Sequence, residues 1–72
     1  MVTIRFKLSD RDDIEIPLPE PENLGDLLDR VSRETGTELG GYIAVRQGKV
    51  IAAHTAVEDQ DVIEIFPAIS GG

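Results

Sequence analysis

Apolar and polar residues alternate strictly over the first residues of the chain: Val2, Ile4, Phe6 and Leu8 share one side, and Thr3, Arg5 and Lys7 share the other. A period of two is the signature of a strand with one buried face. A polar turn at Ser9, Asp10, Arg11 and Asp12 follows. The alternation then resumes over residues 13–18, with Ile14, Ile16 and Leu18 inward and Asp13 and Glu15 outward. Together the runs predict an N-terminal β-hairpin. Pro17 marks its second arm as an edge, because proline cannot donate to a ladder.

The period then changes. Pro19, Glu20, Pro21 and Glu22 form a stiff extended link. Leu24, Leu27, Leu28 and Val31 stand at i, i+3, i+4 and i+7, an apolar stripe at helical spacing. Asn23 is placed to cap the helix, and Asp26 sits where a capping partner and a negative charge are favoured. Asp29, Arg30 and Arg33 take the wet face, and Gly36 ends the helix in the left-handed region. Gly25 in the first turn lowers helix propensity, which suggests close approach of a neighbour.

Gly40 and Gly41 lead into a short apolar strand, Tyr42 to Val45, and a turn at Gln47, Gly48 and Lys49 returns the chain through Val50 and Ile51. Residues 52–61 lack a period, and a last strand runs from Val62 to Phe66 before Pro67 stops it. One helix among five strands predicts an α+β domain of two layers: a mixed four- to five-stranded sheet with the helix packed on one face. The first and last strands are apolar enough to be central. Placing them side by side and parallel, with the helix in the crossover, gives a β-grasp. The expected division is a β-grasp domain over 1–67 and a flexible tail over 68–72.

Composition narrows the functional classes. At 72 residues the chain is one small domain, too small for a self-contained active site with a deep pocket. It has no cysteine and one histidine, His54, which excludes thiolate metal sites, disulfides and a histidine-based triad. A net charge of −7 argues against nucleic acid as a partner. No apolar run approaches the ~20 residues of a membrane span, and the N-terminus does not read as a signal peptide. The expectation is a cytoplasmic protein, without membrane or metal, that serves as a substrate or carrier and not as an enzyme. His54 reads as a loop residue, and Arg46 and Lys49 as a solvated hairpin. The acids Glu58, Asp59, Asp61 and Glu64 read as a solvated face, or as charges that flank the tail and steer it toward a basic partner.

The tail carries the chemistry. Five residues follow Pro67, a reach of ~17 Å, and the last two are Gly71 and Gly72. Without β-carbons, such an end can thread a narrow channel and present the carboxylate of Gly72. A carboxylate is a poor acyl donor until it gains a leaving group, which adenylation by ATP supplies. The ATP, the magnesium and the oxyanion donors would belong to a partner enzyme. On the last strand Ile63 and Ile65 point one way and Val62, Glu64 and Phe66 the other, and one helix covers only one face. Phe66 or the isoleucines therefore lie on the uncovered face, which either packs a second small core under the 52–61 loop or leaves Phe66 and Ile69 as an exposed apolar docking patch, with Tyr42 joining it.

The run Asp61-Val62-Ile63-Glu64-Ile65-Phe66-Pro67-Ala68-Ile69-Ser70-Gly71-Gly72 resembles the C-terminus of the ThiS/MoaD sulfur carriers, which are ubiquitin-like β-grasp proteins. The likeness extends over the hairpin, the paired Leu27 and Leu28 of the helix, and the turn at Gly48. It implies a cycle in which an E1-like adenylating enzyme activates Gly72 and a sulfur donor protein converts it to a thiocarboxylate. A synthase then accepts the sulfur. Gly71 carries over as the residue giving clearance, and Phe66 and Ile69 match apolar docking positions. Phe66-Pro67 leans toward the molybdopterin type, which shows a second proline where Ala68 stands. The Ala68-Ile69-Ser70 stretch equally resembles thiamine-type and tRNA-thiolation carriers. Conjugation to lysines as a ubiquitin-like modifier is the alternative use of the same terminus.

Overall fold

The structure is a computed structural model that describes residues 1–8, 10–36 and 41–68. Strand β1 (Val2–Phe6) pairs antiparallel with β2 (Ile14–Ile16) and parallel with β7 (Val62–Pro67). On the other side of β7 lies β4 (Tyr42–Arg46), antiparallel, and beyond it β5 (Lys49–Ile51). The sheet order is β2-β1-β7-β4-β5, with the first and last strands central and parallel. The helix α1 (Leu24–Thr35) lies in the link between the two hairpins, as the β-grasp arrangement requires.

The hydrophobic stripe decides which face the helix covers. Leu24, Leu27, Leu28 and Val31 of α1 are buried together with Val2, Ile4, Ile16, Ala44, Ile63 and Ile65 from the sheet. Leu18, after β2, and Val57, from the stretch before β7, close the cluster. At the helix end the Gly36 amide donates to the Ser32 carbonyl with φ at 66°. Only a residue without a β-carbon takes that conformation freely.

The periodless stretch 52–61 is more organised than its sequence suggests. β3 (Glu22–Asn23) and β6 (Ala56–Val57) form a separate two-stranded ribbon. The first amides of a helix have no partner within it. Here the Leu24 amide donates to the Thr55 carbonyl at 2.9 Å and the Gly25 amide to the Ala53 carbonyl at 2.8 Å. The Asp26 amide donates to Asn23 Oδ1 at 3.0 Å. A β-carbon at position 25 would lie 3.3 Å from the Ala53 Cβ and 3.4 Å from its carbonyl oxygen, so glycine lets the loop reach the helix N-terminus.

Two details of the hairpin differ from the alternating pattern. β1 ends at Phe6, and Leu8, expected inward, is 78% exposed at φ 56°. The chain reverses there to bring Ile14 opposite Ile4, and a reversal cannot keep a strand's alternation. The strand expected over 13–18 spans only Ile14–Ile16, although Leu18 remains buried. As Pro17 required, β2 is an edge.

Candidate functional site

The last strand places everything at issue. Because β1 and β7 are parallel, with Phe6 beside Ile65, the C-terminal ends of both strands lie at one end of the sheet. The N-terminal end of β4 lies there too, with Tyr42 opposite Pro67. Pairing continues past the strand, since the Ala68 amide donates to the Gly41 carbonyl at 3.1 Å. A β-carbon on Gly41 would lie 3.3 Å from that of Ala68. The described residues thus end at Ala68, still paired at the end of a central strand. Ile69, Ser70, Gly71 and Gly72 lie outside the described residues.

Directly opposed residues of antiparallel strands share a face. Ile65 opposes Ala44, and both are buried under the helix. Phe66 opposes Ile43 on the other face, which the helix does not cover. Phe66 is half-buried there, Ile43 is 45% exposed, and Val45 opposes Val50, which is 73% exposed. Val62, 45% exposed, lies on the same face beyond Glu64, in a hollow lined by Arg5, Arg46, Gln47 and Gln60. The β1 side of the same face is charged but paired: Arg5 meets Asp13 and Lys7 meets Glu64, each at 3.6 Å. Apolar side chains flanked by neutralised charges make a surface suited to protein contact.

Tyr42 does not share this face. Its partner is Pro67, one step out of phase with Phe66, and it packs half-buried against the core. Sequence reasoning found Phe66 but missed Ile43, Val50 and Val62. The signal was available in principle: once β4 pairs with β7, the exposed phase of one strand sets that of the other.

Of the four acids, Glu64 lies within β7 and pairs with Lys7, while the other three lie away from its C-terminal end. Glu58, Asp59 and Asp61 precede β7, whose six residues span ~20 Å, so they sit at the far end of the strand from Ala68. Asp61 accepts from Arg46 Nη1 at 3.0 Å and from the Glu58 amide at 2.9 Å. Arg46 also donates to the Ala56 carbonyl at 2.9 Å. Expected as part of a solvated hairpin, Arg46 is instead the clasp that holds the β6–β7 loop. Asp59 accepts from the Met1 ammonium, which, with a smaller contribution from the Gln60 side chain, holds its carboxyl below the usual aspartate range. His54 and Lys49 are exposed, as expected. Among the described residues, no group of three or more His, Cys, Asp or Glu is arranged to hold a metal ion, and no helix is long and apolar enough to cross a membrane.

The β-grasp body, with the parallel first and last strands at its centre and one sheet face left bare by the helix, defines a small ubiquitin-like domain. The profile of the ThiS family matches residues 3–72, and the chain belongs to that family of sulfur carriers. Comparison with curated proteins finds no match. Members of the family are small carriers, not catalysts, and work with E1-like enzymes and synthases.

Proposed function

We propose that the carboxyl of Gly72 is adenylated by an E1-like enzyme, converted to a thiocarboxylate, and used to donate sulfur in cofactor biosynthesis of the thiamine or molybdopterin type. The carboxylate oxygen attacks the α-phosphorus of ATP and pyrophosphate leaves. The terminal sulfur of a donor persulfide then attacks the acyl carbon, and AMP departs. A second thiol splits the resulting acyl disulfide and frees the thiocarboxylate. ATP and magnesium belong to the activating enzyme, and this chain contributes the acyl group and a docking surface.

The observation that carries this reading is the family match, which runs through Gly71 and Gly72, a few residues beyond central strand β7. Gly71 gives clearance in the partner's channel. Phe66, with Ile43 beside it, supplies the apolar contact near the exit. Ile69 extends that contact along the tail. Tyr42, on the other face, borders the exit through Pro67.

The test uses the affinity of sulfur for mercury. The chain is incubated with the E1-like enzyme of its own genome, ATP, magnesium and a persulfide donor, then run on a gel containing an organomercury group. Retardation that disappears when Gly71 and Gly72 are deleted supports the carrier reading. Adducts that resist reducing agents, with no retarded species, would instead establish a protein modifier.

A further inference from the structure

Gly41 is a glycine that its own backbone does not call for. The described glycines with a left-handed backbone are Gly36 and Gly48, and position 41 is compatible with a β-carbon. Glycine beside a strand gives up side-chain packing and adds conformational entropy to the cost of folding. Among the described residues, one atom lies within 4 Å of where the missing carbon would stand, the Ala68 Cβ at 3.3 Å. What glycine provides at this position is room for Ala68.

The contact holds the last described residue of the chain. Tyr42 opposes Pro67, so Gly41 is the next residue of the ladder to face Ala68, whose amide donates to the Gly41 carbonyl at 3.1 Å. Tyr42 packs against the core cluster and anchors this end of β4. Gly41 and Ala68 are both exposed, so their contact adds little to the stability of the body. Four residues carry the chain from Ala68 to the carboxyl of Gly72, a reach of at most ~14 Å. Over so short a span a displacement of the first residue passes to the last. A reacting group misplaced by ~1 Å can lose on the order of 100-fold in rate.

We propose that Gly41 is a positioning residue for activation of the terminus: by admitting Ala68 against β4, it fixes the point from which the last four residues reach the nucleotide pocket of the E1-like enzyme. The inference rests on the reading of Gly72 given above. Gly41 acts through Ala68 and touches neither the nucleotide nor the reacting carboxyl.

The test moves one methyl group across the contact. Gly41→Ala sets two β-carbons 3.3 Å apart, so Ala68 must shift by a few tenths of an ångström. Gly41→Ala combined with Ala68→Gly keeps a methyl at position 41 and removes the conflict. ATP–pyrophosphate exchange by the E1-like enzyme of the same genome is measured against carrier concentration. Protection of the residue 68 amide against hydrogen exchange is measured by NMR in the carrier alone. Gly41→Ala should lower kcat about threefold to tenfold, with the half-saturating concentration within about twofold. Amide protection should fall about threefold or more, and the double variant should return both readings to within about twofold of wild type. An unchanged kcat in Gly41→Ala overturns the positioning role, as does a fall in kcat that leaves amide protection intact or that the double variant does not reverse. A raised half-saturating concentration would make position 41 a direct contact with the enzyme, and a melting temperature lowered by more than about 10 °C would make it structural; either overturns the role. ATP–pyrophosphate exchange that is absent even with the wild type overturns the reading of Gly72, and the role of Gly41 with it.

Discussion

Ile65 and Phe66 are neighbours on one strand, and they separate what folding needs from what docking needs. Ile65 is 4% exposed beneath the helix, while Phe66 lies half-buried on the uncovered face and outside the core cluster. Ile65→Ala loses the transfer free energy of the side chain and leaves a cavity that the helix and sheet cannot collapse, about 3–4 kcal/mol. Phe66→Ala seals no cavity, because one side of the ring already meets water, and about 1 kcal/mol is expected. A chain of 72 residues is stable by only ~4–11 kcal/mol in all. At ~4–8 °C per kcal/mol, the melting temperature should fall by roughly 6 °C for Phe66→Ala and by about 20 °C for Ile65→Ala. Urea denaturation with an unchanged m-value checks that both variants report stability and not a changed denatured state. Equal losses for the two substitutions would refute the face assignment and remove Phe66 from any docking surface.

Further expectations follow from the same geometry. Arg46→Met breaks the bonds to Ala56 and Asp61 and should cost about 1.5–2 kcal/mol by urea denaturation, whereas a loss near zero would mean that the clasp behaves as an ordinary solvated pair. Gly36→Ala should cost about 1 kcal/mol through its backbone alone, since no atom lies within 4 Å of the added carbon, and an unchanged melting temperature would contradict the left-handed cap. The folded-state pKa of Asp59 is depressed, so its stabilising pair is complete above the unfolded aspartate value of about 4 and is lost as pH falls through the lower folded value. Asp59→Asn should therefore flatten the dependence of melting temperature on pH at the acid end of the range, and identical slopes for both proteins would count against the pair.

The elements with a sustained period are legible in the residue pattern itself. The stripe from Leu24 to Val31, the cap at Asn23 and the stop at Gly36 follow from local physics, and the fold contains each. The parallel pairing of β1 with β7 is legible for a different reason, because two apolar strands need the centre of a sheet. The ribbon of β3 and β6 is not, since two-residue strands carry no period and their pairing depends on the helix amides that the loop satisfies. Leu8 continues a pattern that the turn has already ended. The role of Arg46 is hidden because its partners, Ala56 and Asp61, lie ten and fifteen residues away. For the site, the phase of Phe66 can be read within its own strand, but excluding Tyr42 from that face requires the register between β4 and β7. The chemistry expected of Gly71 and Gly72 rests on residue type, position and family membership, and these residues lie outside the described structure.

The most direct measurement is the intact mass of the chain after incubation with its activating enzyme, ATP, magnesium and a persulfide donor, followed by fragmentation of the whole protein. The account predicts a gain equal to the exchange of one oxygen for one sulfur, confined to fragments that contain Gly72. Sulfur found elsewhere in the chain, or a chain that keeps its mass while the same enzyme modifies another carrier, would contradict it.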